Sequence, residues 1–314
     1  MSITLTNAHT TTEVAYQPSP SGRTEVDFLF EGRHRPDFSE RIERYVGVLT
    51  RHFPVLTGYQ YTIRSDNSFP HSTGIASSAS AMSAMALCFA SIAGRLGQAL
   101  PEAEFWRVVS HLARLGSGSA CRSVLGPVAV WGETPAVPGS SHHHAVALPR
   151  VHELFQSMRD TILIVDHGPK AVSSSDGHAL MHGHPYAQTR FAQAGQNLQE
   201  LVPVMESGDM ERFIALTEHE ALSLHAMMMT SSPGYVLVKP GTLDIIEKVR
   251  VAREEDQLPV CFTLDAGPNV HLLYPEAVEE TAKAWIEAEL KQHCHEGQII
   301  HDRSGSGPVQ LEAG

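Results

Sequence analysis

Two segments of the chain combine small and hydroxyl-bearing side chains in the way that phosphate-binding loops do. The first, residues 70–80, has the sequence PHSTGIASSAS and lies between an expected strand and an expected helix. Backbone N–H groups at the start of a helix bind phosphate, and one serine hydroxyl could ligate Mg²⁺. A small-residue helix packed closely on a sheet explains the segment equally well. The segment lacks the Gly-Lys-Ser/Thr ending of a Walker loop, which excludes that class of site.

The second segment, residues 115–123, has the sequence LGSGSACRS and adds a guanidinium to hydroxyls and glycines. Arg122 can bind a carboxylate or a phosphate through two parallel hydrogen bonds. The alternative is a surface arginine in a flexible turn. Two phosphate-suited loops in one acidic protein make that alternative less attractive.

A carboxylate follows an apolar stretch in the carboxy-terminal half, where residues 264–269 read LDAGPN. Asp265, just past an expected strand, occupies a position where ligand sites often gather. An aspartate that caps a turn before Pro268 is the other interpretation. Residues 172–178, VSSSDGH, form a third hydroxyl-rich stretch, which alone would indicate a polar loop with a helix N-cap.

Composition limits the classes of protein in which such segments could act. The 314 residues are 42% hydrophobic and 18% charged, which predicts a soluble globular chain, and no apolar run near the roughly 18 residues of a membrane span is expected. The net charge of −12 has the wrong sign for binding nucleic acid or anionic lipid. Four widely spaced cysteines favour a reduced, cytoplasmic protein, and the HCH sequence at 293–295 lacks the second ligand pair of a zinc site.

Helices and strands in an α+β order must position these segments. Alternating residues predict strands over 1–16 and 24–30, paired as an antiparallel hairpin through the turn at 18–22. Helical spacing predicts helices over 37–52, 78–93, 101–115, 186–207, 209–229, 242–254 and 275–292. Further strands are predicted over 59–65, 128–131, 145–148, 161–165, 235–239 and 259–264. The pattern divides into two halves near 155–160.

Four of these segments together resemble the diphosphomevalonate decarboxylase family of the GHMP kinase superfamily. The matching pieces, in family order, are residues 69–80, 116–123, 172–174 and 262–269. The likeness runs from Ser2 to the GSGP sequence at 305–308. It implies a two-domain GHMP kinase fold of the α+β class. The amino-terminal domain, over 1–157, would be ribosomal-S5-like, and the carboxy-terminal domain, over 158–314, would be ferredoxin-like.

The resemblance also implies the ligands and the residues that contact them. ATP and Mg²⁺ would be bound by Pro70, Gly74, Ala76, Ser77, Ser78 and Ser80, with Ser78 as the metal ligand. The substrate diphosphate would lie against Ser117, Gly118, Ser119, Arg122 and Ser174. Asp265 would face the C3 hydroxyl of the substrate, and Asp265 and Arg122 would be the catalytic residues.

The family reaction phosphorylates a tertiary alcohol with ATP, after which phosphate and CO₂ leave. The resemblance therefore implies ATP-dependent decarboxylation of (R)-5-diphosphomevalonate to isopentenyl diphosphate by a cytoplasmic homodimer with no nucleic-acid or membrane partner. A mevalonate 3-kinase, a phosphomevalonate decarboxylase, and a truncated, weakly active nucleotide-binding protein are the alternatives. The family's first strand and its Lys-Tyr-Trp-Gly-Lys motif are expected to be missing, and Ser175 stands where some members carry arginine.

Overall fold

The computed structural model describes residues 1–70, 77–168, 172 and 174–311, with the backbone alone at 174 and 175. The helices of this part of the chain are α1 (Pro36–His52), α2 (Ser77–Arg95), α3 (Glu102–Gly116), α4 (Ala120–Ser123), α5 (Glu153–Gln156), α6 (Ser174–Ala179), α7 (Ala187–Ser207), α8 (Met210–Met229), α9 (Pro240–Glu255) and α10 (Glu279–Trp285). The strands are β1 (Ser2–Ile3), β2 (Thr10–Pro18), β3 (Glu25–Phe30), β4 (Arg33–His34), β5 (Tyr59–Asn67), β6 (Val128–Trp131), β7 (Ala145–Ala147), β8 (Arg159–Leu163), β9 (Cys261–Leu264), β10 (Val270–Tyr274) and β11 (Ile299–Arg303). This mixture of helices and strands confirms the expected α+β class.

The first sheet has the strand order β2-β5-β3-β4, so the predicted hairpin between its first two strands is wrong. β5 lies between them, antiparallel to β2 and parallel to β3. The reason is burial, because Tyr61 and Ile63 of β5 are fully buried whereas every second residue of β2 is exposed. A buried strand suits the centre of a sheet, and an alternating strand suits its edge. The strand expected over 1–16 is also interrupted, between β1 and β2.

α2 is the central helix of the amino-terminal half. Its residues Met85, Ala86, Phe89 and Ala93 are almost fully buried and belong to one core with α1, α3 and the first sheet. By length and composition alone, α2 is apolar enough to cross a membrane, and half of that apolar window is buried inside the protein. The expectation that no such run exists is therefore wrong, because the hydropathy of alanine, methionine and phenylalanine outweighs the serines between them.

The second sheet has the order β11-β8-β10-β9 and is antiparallel throughout. Helices α8, α9 and α10 contribute to the core on this sheet, which includes Ile245 and Phe262. β10 and β11 were not predicted from the sequence, and the strand predicted over 235–239 is wrong. Leu237 is buried and Val236 is exposed as in a strand, but this stretch has no ladder partner in the described part of the chain.

A short third sheet holds β1, and one carboxylate joins the segment after β1 to the last strand. β1 pairs with β6, and β6 pairs with β7. The buried Asp302 of β11 accepts hydrogen bonds from the backbone N–H groups of Thr6, Asn7 and Ala8 at 3.0, 2.7 and 2.6 Å. Hydrogen bonds to an ionised carboxylate are the stronger kind, so the segment after β1 is held firmly against the second sheet. The domain boundary at 157/158 stays a prediction.

The cysteines are free thiols, in agreement with the reduced state that their spacing suggests. Cys121, Cys261 and Cys294 are buried. Burial raises the pKa of Cys121 and of Cys294 to about 11. These thiols are therefore neutral and poorly nucleophilic at neutral pH.

Candidate active site

The two phosphate-suited segments of the sequence meet at the amino-terminal end of α2. Ser78 in the first turn of this helix and Ser117, which follows α3, place their hydroxyl oxygens 3.3 Å apart. Ser77, Ser78 and Ser80 are half-buried. The first turn of a helix has N–H groups without partners inside the helix and lies at the positive end of the helix dipole. Hydroxyls at this position therefore add donors to a place that already favours an anion.

The loop after α3 follows a path that requires glycine. A Cβ atom on Gly116 would lie 2.7 Å from the ring of the buried Tyr45, so a larger residue would force the ring or the helix end to move. Ser119 is the N-cap of the short helix α4, in which Arg122 lies. The hydroxyls and main chain of 117–119 are in this way fixed between the ends of two helices.

Arg122 carries positive charge into a partly buried position. Its guanidinium carbon lies 5.7 Å from the centroid of the Trp131 ring, and its buried Nε atom has no hydrogen-bond partner among the described residues. Burial lowers the pKa of Arg122 from its usual value, and the charges of Cys121 and Asp265 act in the opposite direction. An arginine remains charged in proteins, so the loop after α3 carries a cation, and the charge of Asp265 at the end of β9 acts on it. This electrostatic interaction links the two segments.

Asp265 is the first residue after the buried strand β9, and its side chain is exposed. The loop that it begins is fixed at several points. The buried Asn269 accepts hydrogen bonds from two backbone N–H groups just after β8, at 2.7 and 3.1 Å. The hydroxyl of Thr242 donates to the carbonyl of Pro268 at 2.6 Å. Ring nitrogen Nε2 of His225 lies 3.0 Å from the carbonyl oxygen of Asp265.

The structure connects the predicted site residues that it describes, although their roles stay predictions. The residues that lie on the three converging segments are Ser77, Ser78, Ser80, Ser117, Gly118, Ser119, Arg122 and Asp265. Pro70 is half-buried and is the last described residue before α2 begins at Ser77. Gly74 and Ala76 lie outside the described residues, as does the side chain of Ser174 at the start of α6. Arg122 is not the exposed arginine of the alternative interpretation.

Two further residues that were not predicted from the sequence contact this site. Trp131 at the end of β6 lies beneath Arg122, and a Cβ atom on Gly118 would lie 3.2 Å from its ring. Nothing in the local sequence indicates this packing. His225 has a recognisable signal, because Ala221, His225 and Met228 follow helical spacing and all three are buried. A histidine on the buried face of a helix is unusual enough to be a candidate.

The arrangement offers a defined set of chemical capacities. Hydroxyls and backbone N–H groups at the start of α2 can hold phosphate oxygens, and the Arg122 guanidinium can bind a carboxylate or a phosphate. The exposed Asp265 carboxylate can accept a proton from a bound alcohol if that alcohol lies within hydrogen-bond distance. Donors that are fixed before the reaction stabilise charge that develops during it.

Family models match both parts of the chain. Residues 1–144 match the diphosphomevalonate decarboxylase-like N-terminal domain, and residues 161–311 match the mevalonate 5-diphosphate decarboxylase C-terminal domain. A phosphomevalonate decarboxylase from Haloferax volcanii is 30% identical over 281 residues, which cover 87% of this chain and 78% of that protein. A diphosphomevalonate decarboxylase from Candida albicans is 29% identical over 229 residues, which cover 72% of this chain but 60% of that protein.

Solved structures give the same result for the fold. Mevalonate diphosphate decarboxylase from Staphylococcus aureus is 26% identical with a TM-score of 0.82, over 97% of this chain and 87% of that one. A structure of MDDEF in complex with MVAPP, AMPPCP and magnesium is 26% identical with a TM-score of 0.81, over 97% of this chain and 88% of that one. This likeness confirms the expected GHMP kinase fold. With the two domain models and the relative from Haloferax volcanii, it shows that the chain belongs to the diphosphomevalonate decarboxylase family.

Proposed function

We propose that the protein catalyses the ATP-dependent decarboxylation of (R)-5-diphosphomevalonate to isopentenyl diphosphate, with release of ADP, phosphate and CO₂. The observation that carries the proposal is the 3.3 Å contact between the hydroxyls of Ser78 and Ser117, which brings the start of α2 to the loop that leads into Arg122. The charge of Asp265 acts on the Arg122 guanidinium and supports the proposal. The complex of MDDEF with MVAPP, AMPPCP and magnesium supports both the substrate class and the use of ATP.

The reaction begins with phosphoryl transfer to the tertiary alcohol. The C3 oxygen attacks the γ-phosphorus of ATP, ADP leaves, and the hydroxyl proton passes to the Asp265 carboxylate. The exposed position of Asp265 at the end of a buried strand suits a group that must reach a bound substrate. Phosphorylation matters because a hydroxyl at a tertiary carbon is a poor leaving group until it carries a phosphoryl group.

The second stage is the loss of phosphate and CO₂ from the phosphorylated intermediate. The C3–O bond breaks and phosphate takes its electron pair, which leaves C3 deficient in charge. The bond between the carboxylate carbon and C2 then breaks, its electrons form the C2=C3 double bond, and CO₂ departs. A carboxylate beside C3 stabilises the electron-poor carbon, and Asp265 would take this role once it has passed the proton of the alcohol to the departing phosphate.

The loop after α3 and the start of α2 would bind the anionic groups of the diphosphomevalonate substrate and of ATP. Ser117, Gly118, Ser119 and Arg122 would hold the substrate, with Arg122 as a bidentate donor to an oxyanion. The start of α2, with Ser77, Ser78 and Ser80, would hold the phosphates of ATP. Pro70, Gly74, Ala76 and Ser174 are assigned to binding by family resemblance alone.

Mg²⁺ fits this proposal because the half-buried Ser78 hydroxyl is a hard oxygen donor at the start of α2, close to a second hydroxyl. When bound, the ion offsets negative charge on the phosphoryl group that is transferred. Ser78 would supply one oxygen ligand. The hydroxyl of Ser117 would orient the same group through the 3.3 Å contact between the two side chains.

A second candidate is decarboxylation of 5-phosphomevalonate. The relative from Haloferax volcanii, which matches 87% of this chain, is a phosphomevalonate decarboxylase. The presence of Ser175 at a position where some family members carry arginine also favours a substrate with fewer phosphate charges. The two candidates share the chemistry at C3 and differ at the phosphate end of the substrate.

The deciding experiment follows ADP and CO₂ separately while the protein is incubated with ATP, Mg²⁺ and each candidate phosphate. We expect equal amounts of ADP and CO₂ with 5-diphosphomevalonate and little of either with the monophosphate. The reverse preference would establish the second candidate, and ADP without CO₂ would identify a kinase. The predicted homodimer is tested in the same preparation by light scattering.

A further inference from the structure

His225 lies on the buried face of α8, directly behind the loop that carries Asp265. Its side chain is 3% exposed, and its Nε2 atom lies 3.0 Å from the carbonyl oxygen of Asp265. A carbonyl oxygen only accepts hydrogen bonds, so Nε2 carries the proton and donates it. The other ring nitrogen, Nδ1, is buried and has no partner in the described part of the chain.

Packing alone does not account for a histidine at this position. A buried Nδ1 without a partner carries a desolvation cost, and a leucine or methionine would fill the same face without it. Neighbouring positions of the same helix do carry Met227 and Met228. Burial lowers the pKa of His225, so the ring is neutral and acts as a hydrogen-bond donor without a charge.

Asp265 depends on its main chain for orientation. No described residue makes a hydrogen bond to its carboxylate, whereas its carbonyl oxygen accepts from both the Gly267 N–H at 2.7 Å and His225. The Gly267 bond lies within the loop and moves with it. The His225 bond comes from a helix in the core of the domain, so it ties the loop to a rigid element.

We infer that His225 is a positioning residue that fixes the Asp265 backbone and thereby aims its carboxylate at the reacting alcohol. This inference rests on the proposed function for its catalytic consequence, but its structural content concerns the loop alone. A carboxylate held in place reacts without the cost of finding its orientation, so loss of the bond lowers kcat. Binding of ATP, which occurs at the start of α2, is unaffected.

Two isosteric variants separate the hydrogen bond from the burial. The amide nitrogen of glutamine can take the place of Nε2, so His225→Gln keeps the donor to Asp265. The amide of asparagine takes the place of Nδ1, so His225→Asn loses that donor while remaining polar. We expect kcat of the Gln variant within about threefold of the unmodified protein and that of the Asn variant lower by about tenfold or more, with KM for ATP unchanged.

His184 supplies a matched control in the same half of the molecule. It is buried, and its Nε2 atom lies 3.1 Å from a backbone carbonyl of α8, that of Met227, which is outside the candidate site. We expect His184→Asn to lower the melting temperature and to leave kcat within about twofold. Such a result separates the loss of any buried histidine-to-carbonyl bond from the loss of the one at Asp265.

A second measurement does not depend on turnover. Hydrogen exchange of the Gly267 amide should be faster in His225→Asn than in His225→Gln, because the carbonyl that accepts from it is no longer held. Equal exchange in the two variants would overturn the inference, as would equal kcat or a loss that appears in KM for ATP. A Gln variant that folds but has kcat lower by about tenfold would overturn it as well. If the unmodified protein turns over none of the candidate substrates, the proposed function fails and the exchange comparison alone decides the positioning role.

Discussion

Replacing Arg122 with lysine tests the anion-binding part of the candidate site. Lysine keeps the positive charge but replaces a planar fork of donors with one ammonium group. The guanidinium lies 5.7 Å from the centroid of the Trp131 ring, and its Nε atom has no partner among the described residues. The substitution therefore removes geometry that the protein itself does not use, and its effect should appear in the handling of substrate.

The magnitude follows from what the fork contributes. A hydrogen bond to a charged group is worth about 1.5–3 kcal/mol, and lysine loses the equivalent of one from a bidentate pair. At about 1.4 kcal/mol per factor of ten, kcat/KM should fall by about 10- to 150-fold. The contact with Trp131 adds little to this difference, because a lysine ammonium also interacts with an aromatic ring.

The assay measures kcat/KM from CO₂ release at several substrate concentrations, together with the melting temperature. Arg114→Lys is the control, since the Nε atom of Arg114 in α3 donates to the carbonyl of His143 at 3.0 Å and belongs to no part of the candidate site. We expect that control to remain within about twofold of the unmodified protein. An Arg122→Lys variant with unchanged kcat/KM would show that no substrate oxyanion contacts the guanidinium fork.

Three further predictions concern the carboxylates of Asp265 and Asp302 and the buried ion pair between His271 and Asp160. Asp265→Asn should abolish CO₂ release, because the carboxylate acts at the alcohol, and calorimetric titration should show ATP affinity within about twofold of that of the unmodified protein. An equal loss of CO₂ release and of ATP affinity would contradict this role. Asp302→Asn should lower the free energy of unfolding by about 1.5–3 kcal/mol in urea titrations, because it weakens the hydrogen bonds from the backbone N–H groups of 6–8. Burial lowers the pKa of His271, but the adjacent Asp160 carboxylate outweighs burial and raises the pKa from 6.5 to about 9. This ion pair therefore stabilises the fold fully below pH 6.5, and its stabilisation is lost as the pH rises through 9. Unfolding free energies at pH 6 and pH 10 should therefore differ less in His271→Gln than in the unmodified protein.

Helices with one apolar face were predictable because their signal is local. In α1, the spacing of Ile42, Tyr45, Val46 and Leu49 predicts a buried face, and all four side chains are buried. The predicted and observed bounds differ by a residue at the start of the helix. The spacing alone contains the necessary information, since residues three and four apart share a helix face wherever that helix packs.

Strand pairing was not predictable in the same way, because it is decided by residues far apart in sequence. The alternation in β2 and β3 identifies both as strands but contains nothing about β5, which separates them. Residues 235–239 form no strand although Val236 is exposed and Leu237 is buried, since a strand requires a neighbour with free backbone groups. Periodicity predicts which face is buried, and only the tertiary fold decides the partner.

Some residues of the candidate site have a local signal in the sequence, and others are found only from their tertiary contacts. Glycines and hydroxyls cluster within single loops, so the segments around Ser78 and Ser117 stand out in the sequence, and Asp265 stands out at a strand end. Trp131 acts through a contact with Arg122 in another segment, and such a contact leaves no local pattern. His225 has helical spacing as a local signal, but its contact with Asp265 is not visible in the sequence. Residues that could touch a ligand were therefore easier to find than residues that hold them in place.

The net charge of −12 raises the question of how such a protein would bind anionic substrates. At physiological ionic strength, interactions between exposed charges weaken beyond about 8 Å, so groups close to the ligand decide the outcome. In the proposed site, those groups would be the start of α2, the hydroxyls 3.3 Å apart, and a guanidinium beside an aromatic ring. Binding through them would not need attraction at long range. The positive charge of Arg122 would offset the repulsion between Asp265 and phosphate, and the Asp265 carboxylate would be left for the alcohol.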